Sequence, residues 1–136
     1  MSDNLKNILH PLSDKLLKVD ERIKAILETG VPVIDGSSMH LFFQGGKKIR
    51  ASLVLLCSGL RSDIRDEVID LAAAVEIIHA ASLIHDDIID KSFMRRGIIS
   101  VPSKYGDKVA VLAGDYMYFV AANIAIKGRD MRIIDS

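Results

Sequence analysis

The sequence lacks the features that mark several broad classes of protein. It has one cysteine, Cys57, so no internal disulfide can form, and we expect the protein to work in a reducing cytoplasm. It has no basic excess, because 18 lysines and arginines balance 18 aspartates and glutamates, and this argues against a nucleic-acid-binding protein. The N-terminal segment, MSDNLKNILHPLSDK, lacks the basic head and apolar core of a signal peptide.

The sequence also has no uninterrupted apolar run of the kind that spans a bilayer. The least polar stretch, from Val109 to Ile126, is nearly long enough. Gly114 and Asp115 lie in its middle, however, and an ionised side chain at that depth in a membrane is costly. We therefore predict that this stretch is a buried helix of a soluble protein and that the chain has no transmembrane segment.

What remains is a helical pattern without convincing strand-like alternation. Apolar residues recur every three or four positions between Leu5 and Leu27, as in an amphipathic helix, and Pro11 is expected in a first helical turn within it. Further helices are predicted at 39–44, 48–58, 63–89 and 107–126, separated by connectors that include ETGVPVIDGSS and SFMRRGIISVPSKYG. The 63–89 helix is apolar on all sides and should be central. The predicted fold is a single all-α domain, a helical bundle.

Three aspartates interrupt the central helix in LIHDDIID. Asp86 and Asp90 lie one turn apart on the same face, and His79 lies two turns before Asp86, within about 20° of it. Two carboxylates so placed repel each other without a cation, and they suit Mg²⁺, which takes oxygen ligands and is often shared with substrate phosphates. We predict a metal site at Asp86 and Asp90, with Asp87 pointing elsewhere and supporting it.

This metal site has alternatives. The aspartates would be ordinary if they simply formed a solvated helix end, but at a helix C-terminus they oppose the dipole and are costly unless something compensates. Ile88 and Ile89, between them, also indicate partial burial. For His79 the alternative is a satisfied core histidine.

Basic residues lie on both sides of this helix in the sequence. Arg95 and Arg96 follow it directly, and arginine pairs bind diphosphate oxygens bidentately. In GGKKIR, two glycines precede a helix start whose amides and dipole favour an anion, with Lys47 and Arg50 as neighbours on the first turn. Either group alone would be an ordinary surface or helix boundary. Together with the predicted metal site, they predict a site for a diphosphate.

The motifs GGKKIR, EIIHAASLIHDDIID, RRG and VLAGDY resemble, in order and spacing, those of the trans-type polyprenyl diphosphate synthases. The resemblance implies helices around a deep cavity, Mg²⁺ as cofactor, and condensation of isopentenyl diphosphate with an allylic prenyl diphosphate. It implies that Asp86 and Asp90 hold Mg²⁺ on the allylic diphosphate and that Arg95 contacts that diphosphate. It also implies four residues that bind isopentenyl diphosphate: Lys47, Arg50, His79 and Arg96.

The resemblance extends to product length and to one further aspartate. Ala81 and Ser82 stand where this family often floors its cavity, and their small size implies products longer than farnesyl, unless they only let helices approach closely. Asp115, in AGDY, matches the family, and we expect it to be buried, hydrogen-bonded and structural. Lys48 and Ala51 depart from the family's common arginine and proline without removing a charge that the prediction needs.

The family's second aspartate-rich motif has no counterpart after Ser100, since Asp130 and Asp135 stand alone. Residues 1–136 are therefore expected to be the N-terminal half of a synthase domain, inactive alone, with exposed apolar faces that drive self-association and a homodimer as the expected oligomer. One alternative is a small non-catalytic subunit of a heteromeric prenyl diphosphate synthase. The retained aspartates and arginines favour the first interpretation over this one and over a plain helical scaffold.

Overall fold

The computed structural model describes residues 10–42, 46–59 and 64–127. Within these ranges the chain is an all-α bundle, as the sequence predicts, with one very small hairpin that the sequence analysis did not predict. Its elements are a 3₁₀ turn at His10–Leu12, α1 (Ser13–Leu27), α2 (Pro32–Met39), α3 (Ile49–Gly59), α4 (Asp66–Ile89), β1 (Met94–Arg95), β2 (Ile98–Ile99), α5 (Val101–Tyr105) and α6 (Asp107–Lys127). Pro11 lies in the 3₁₀ turn before α1, so the predicted first turn is confirmed, whereas residues 1–9 lie outside the described ranges.

Helix α4 is the central element, as its apolar pattern predicts. It packs against α6, α3 and α1. Ile77 and Ile84 are fully buried on it, each contributing about 1.5–3 kcal/mol of hydrophobic stabilisation. Alanines fill the tightest contacts, because their small side chains let neighbouring helices approach closely; they are Ala72, Ala73, Ala74 and Ala81. This packing fixes the position of everything that α4 carries.

The predicted connector 28–38 contains helix α2, so that prediction is wrong. Pro32 occupies the first turn of α2, where a proline costs no hydrogen bond, instead of breaking the chain. The carboxylate of Asp35 accepts hydrogen bonds from Thr29 and from the Gly30 amide, which fixes the preceding turn. The bond from the Thr29 hydroxyl lowers the pKa of Asp35 below its ordinary value. Of the predicted 39–44 helix, Met39 belongs to the end of α2, and residues 43 and 44 lie outside the described ranges.

The predicted loop 92–106 also contains regular structure. Strands β1 and β2 pair antiparallel, with Met94 opposite Ile99 and Arg95 opposite Ile98. The turn between them is Arg96-Gly97, and both residues have positive φ, of 50° and 86°. Positive φ at both central positions is the mark of a type I′ hairpin turn. Two-residue strands carry no alternation, so the sequence does not reveal them.

Helix α6 differs from the predicted buried helix, because the other described residues cover only one of its faces. Its buried face consists of small residues and one methionine: Ala110, Ala113, Gly114, Met117 and Ala121. Gly114 allows close contact with α4, since a Cβ there would lie 2.3 Å from Nε2 of His85. The opposite face is exposed and includes Leu112 and Phe119.

Two helices, α4 and α6, are long and apolar enough to cross a membrane, judged by length and composition alone. Core helices of globular proteins share these properties, and many residues of α4 are buried against its neighbours. The absence of a transmembrane segment therefore stays a prediction.

Candidate functional site

A cleft lies between the start of α3, the middle of α4 and the β1–β2 hairpin. Residues from all three elements line it, although they are far apart in sequence. The structure brings together in one pocket the four residues for which the family resemblance implies a common ligand: Lys47, Arg50, His79 and Arg96. Three permanent cations and an imidazole thus face a common space, which favours a multiply charged anion.

The start of α3 supplies the first wall of the cleft. Helix α3 begins at Ile49, one residue later than predicted. Arg50 therefore lies in its first turn, whereas Lys47 precedes the helix. The Lys48 carbonyl accepts the Ser52 amide at 2.9 Å, and the Lys48 ammonium pairs with Asp20. Lys48 therefore holds α3 to α1, although it also contributes to the lining of the cleft.

Glu76 is a site residue that the sequence reasoning missed. It lines the cleft, and its Oε1 accepts the Ala51 amide at 3.0 Å, so it caps α3 from α4. One of the helix amides predicted to face an anion is therefore already used by a carboxylate, and the cleft must bind anions mainly with side chains. The signal was available, because Glu76 lies three residues before His79 and shares its face of the helix.

His79 reports the electrostatics of the cleft. Its pKa lies below the ordinary histidine value, first because burial disfavours the charged imidazole. The positive charge of Arg50 lowers the pKa further, as do Arg96 and Arg95, whereas Glu76 acts in the opposite direction. Burial first, and then the positive potential of the arginines, favour the neutral imidazole, and a bound anion would reduce the second of these effects.

A second, more apolar pocket continues from the first. The two share Gly46, Lys48, Glu76, His79 and Arg96. The second adds the side chain of Arg95 and four apolar side chains: Leu41, Phe42, Ala80 and Leu83. The cleft thus joins a basic end to an apolar end, which suits an anionic ligand with a hydrocarbon part.

The three aspartates divide as the helix geometry predicts. Asp87 is completely buried, and its Oδ1 accepts a hydrogen bond of 2.7 Å from Nε of Arg95 and forms an ion pair with Nη2 of the same guanidinium at 2.7 Å. This pairing orients the guanidinium and, with burial opposing it, raises the pKa of Arg95. Asp87 therefore supports the site by fixing Arg95, whereas Asp86 and Asp90 are exposed.

The end of α4 keeps Asp86 and Asp90 on one face. Asp90 caps the helix, and its amide donates to the Asp86 carbonyl at 2.8 Å. Lys91 then adopts φ 51°, and the amides of Lys91 and Ser92 donate back to the carbonyls of Ile88 and Asp87. This is a Schellman motif, which turns the chain sharply towards the hairpin that carries the arginines.

Asp86 and Asp90 fit a hard divalent cation that has further ligands from elsewhere. Within the described ranges neither carboxylate forms an ion pair, and both residues are exposed to solvent. No cluster of three or more His, Cys, Asp or Glu side chains suited to a metal occurs in that part of the chain. Mg²⁺ binds in this manner, through one or two carboxylates plus water and substrate phosphates.

The remaining predicted residues lie away from the cleft. Ala81 is fully buried in the core, and the Ser82 hydroxyl donates to the His79 carbonyl at 2.8 Å, so the link between these two residues and product length stays a prediction. Asp115 is not buried, contrary to prediction: its side chain is 66% exposed, with Oδ1 3.6 Å from Nε2 of His85. The cause is that its face of α6 is covered by no described element.

Fold and cleft together define a class: helical-bundle proteins with a basic cleft, an apolar extension and a pair of solvent-facing carboxylates. The polyprenyl synthetase family matches residues 31–136, most of the chain. The protein therefore belongs to the polyprenyl synthetase family, as the motifs predict.

Individual relatives agree with this assignment. The chain is 41% identical to a geranylgeranyl diphosphate synthase of Saccharolobus solfataricus over 115 residues, which cover 82% of this chain and 35% of that protein. It superposes with a TM-score of 0.90 and 29% identity on a decaprenyl diphosphate synthase of Rhodobacter capsulatus, covering 96% of this chain and 41% of that one. It also superposes on a polyprenyl synthase of Caulobacter crescentus, complexed with calcium and isoprenyl diphosphate, with a TM-score of 0.90 and 28% identity. That match covers 96% of this chain and 40% of the other. The chain thus spans about a third of the length of the curated relatives that it matches.

Proposed function

We propose that this chain provides the substrate-binding wall of a prenyltransferase that elongates an isoprenoid chain by condensing isopentenyl diphosphate with an allylic diphosphate. The observation that carries the proposal is that Lys47, Arg50, His79 and Arg96 line one pocket, with an apolar pocket and Arg95 beside it. The relatives' names support it, since they are diphosphate synthases of isoprenoids.

Isopentenyl diphosphate would occupy the basic pocket. Lys47, Arg50 and Arg96 neutralise the diphosphate with charge-assisted hydrogen bonds, and His79 adds a hydrogen bond from the helix that floors the pocket. The short hydrocarbon part would lie towards Ala80 and Leu83. Glu76 keeps the N-terminal end of α3, and hence Arg50, in register with α4.

The allylic diphosphate would bind next to the carboxylates, with Asp86 and Asp90 holding Mg²⁺. When bound, Mg²⁺ supplies positive charge that stabilises the departing diphosphate. Arg95, oriented by Asp87, faces the same negative charge as it develops. The allylic C–O bond breaks and its electron pair leaves on the diphosphate. The isopentenyl double bond then attacks the allylic carbon, and loss of a proton restores a double bond.

The isolated chain would bind substrates without turning them over, because the candidate groups of the described ranges all come from one wall of the cleft, formed by the start of α3, by α4 and by the hairpin. We also propose that the protein is cytoplasmic and that it works as a homodimer. A non-catalytic subunit would have no need of Asp86 and Asp90, so their solvent-facing carboxylates favour the catalytic role.

Titration calorimetry with isopentenyl diphosphate tests the basic pocket. The chain should bind it, and Arg96→Asn should weaken binding by about tenfold or more, since one charge-assisted contact is lost. Asparagine tolerates the positive φ of this turn position, so the backbone is preserved. Lys108→Asn, an exposed change on α6, is the control. Equal affinity in Arg96→Asn would contradict the proposal.

The carboxylates need a separate experiment with geranyl diphosphate and Mg²⁺. Asp86→Asn and Asp90→Asn should abolish the Mg²⁺-dependent part of geranyl diphosphate binding while leaving isopentenyl diphosphate affinity unchanged. A product assay with both substrates completes the test. Appreciable elongation by the isolated chain would refute its predicted inactivity, and Mg²⁺-independent binding would refute the metal site.

A further inference from the structure

His40 lies at the junction between the apolar pocket and the arginine hairpin. Its side chain is buried, and Nε2 lies 2.8 Å from the carbonyl oxygen of Ile99, which is 59 residues away in the chain. A carbonyl only accepts, so Nε2 carries the proton in this tautomer. Nδ1 then accepts from the Lys104 ammonium at 3.5 Å, and the ring meets Tyr105 edge-on at 5.9 Å. The imidazole is thus fixed on three sides.

The Ile99 carbonyl needs such a partner because of the hairpin register. The Ser100 amide donates to the Phe93 carbonyl at 2.9 Å, so those two residues form a hydrogen-bonded pair. In an antiparallel ladder hydrogen-bonded and non-hydrogen-bonded pairs alternate, so Ile99 and its partner Met94 form a non-bonded pair. The Ile99 carbonyl therefore points away from β1, towards the free edge of the hairpin, where it accepts the hydrogen bond from His40.

This contact links the segment that follows α2 to the arginine hairpin, two parts of the cleft wall. Leu41 and Phe42, next to His40, line the apolar pocket, and the hairpin carries Arg95 into the apolar pocket and Arg96 into both pockets. Arg95 is also fixed by Asp87, but Arg96, in the turn, has no hydrogen bond within the described ranges that would fix it. The position of Arg96 thus depends on how the hairpin as a whole is held.

We propose that His40 is a positioning residue: its bond to the Ile99 carbonyl holds the arginine hairpin against the Leu41–Phe42 wall and thereby sets the position of Arg96 in the basic pocket. The consequence for ligand affinity rests on the proposed function. The structural part of the proposal, that His40 holds the hairpin in place, is independent of the proposed function.

Two pairs of variants test this role. His40→Leu keeps much of the volume but cannot donate, whereas the amide of His40→Gln can replace Nε2. Affinity for inorganic diphosphate, by calorimetry, should fall about five- to tenfold in His40→Leu and stay within about twofold of the original in His40→Gln. Amide hydrogen exchange of residues 92–100, by mass spectrometry, should speed up in His40→Leu alone. If His40 only filled space in the core, leucine would replace it at least as well as glutamine, and neither diphosphate affinity nor exchange of the hairpin would separate the two variants.

Two further results keep the proposal open to refutation. If His40→Leu fails to fold, His40→Asn takes its place, because its amide is too short to reach Ile99, and it is compared with His40→Gln. Equal affinity and unchanged exchange in the non-donating variant would overturn the proposal. If the unsubstituted chain binds no diphosphate, the proposed function fails, and the exchange comparison alone still decides whether His40 holds the hairpin.

Discussion

Single residues decide how the acidic end of α4 is used. Asp87 and its neighbour Asp86 are chemically identical, yet one is buried against a guanidinium and the other faces solvent. The 100° rotation per residue sends them to different sides of the helix. That arithmetic is available from the sequence, which is why their different roles could be predicted. The identity of Arg95 as the partner of Asp87 could not, because it depends on the hairpin.

The Asp87–Arg95 pair should contribute strongly to stability. Asp87→Asn removes a fully buried negative charge and leaves the arginine without its counterion, at a cost of about 2–4 kcal/mol. Urea unfolding measures this loss. Asp86→Asn is the matched control, since an exposed carboxylate without a described partner should change the free energy of unfolding by less than about 0.5 kcal/mol. Equal effects of the two substitutions would contradict the assigned burial.

His79 gives a prediction that depends on pH. The pKa of His79 is lower in the folded chain than in the unfolded chain. At a pH between these two pKa values the unfolded chain therefore binds more protons than the folded chain. The free energy of unfolding should therefore fall as the pH falls from the unfolded value of 6.5 through the folded pKa. NMR titration of the imidazole should show the lowered pKa, and inorganic diphosphate should raise it by neutralising Arg50 and Arg96.

Two variants accompany this titration. Among the charged neighbours, Arg50 lowers the His79 pKa most, so Arg50→Met should raise this pKa. Burial should still hold the pKa below the ordinary histidine value. His10, exposed at the start of the chain's described part, is the internal reference. An unchanged His79 pKa on addition of diphosphate would argue against anion binding in the basic pocket.

At the scale of elements, long periodic helices could be predicted and short irregular ones could not. Helix α4 is long and rich in apolar residues, so the sequence predicts it, and its end at Ile89 agrees with the prediction. Helix α2 was missed because Pro32 and the small polar residues that follow it resemble a connector, whereas proline is well placed in a first turn. The exposed Asp115 was mispredicted for another reason: a sequence does not say which face of α6 is covered.

The Schellman motif at the end of α4 can be tested by one substitution. Lys91 holds a positive φ that favours glycine, because a Cβ there crowds the backbone. Lys91→Gly should be more stable than Lys91→Ala by about 0.5–1 kcal/mol in urea unfolding. Both variants lose the same charge, so their difference isolates the backbone. If alanine were as stable as glycine, the left-handed conformation would not be the one adopted.

At the scale of the whole molecule, α6 presents an exposed apolar stripe, formed by Val111, Leu112, Tyr118 and Phe119. These residues recur at seven-residue spacing, so they share one face of the helix, and Asp115 lies between them. Leu112 and Phe119 are 59% and 68% exposed, a large apolar area to leave in water. Contiguous exposed apolar surface of this kind drives association.

The 136-residue chain should therefore self-associate through this stripe. Sedimentation velocity over a wide range of protein concentration should show a rising average mass, and Leu112→Gln with Phe119→Gln should shift the equilibrium towards monomer. Because both side chains are already mostly exposed, the substitutions should hardly change the stability of the monomer. Leu17→Gln, at 61% exposure on α1, controls for the general loss of an exposed apolar side chain. If the control dissociates the protein as well as the double variant does, association runs through another surface, and the stripe on α6 has a different role.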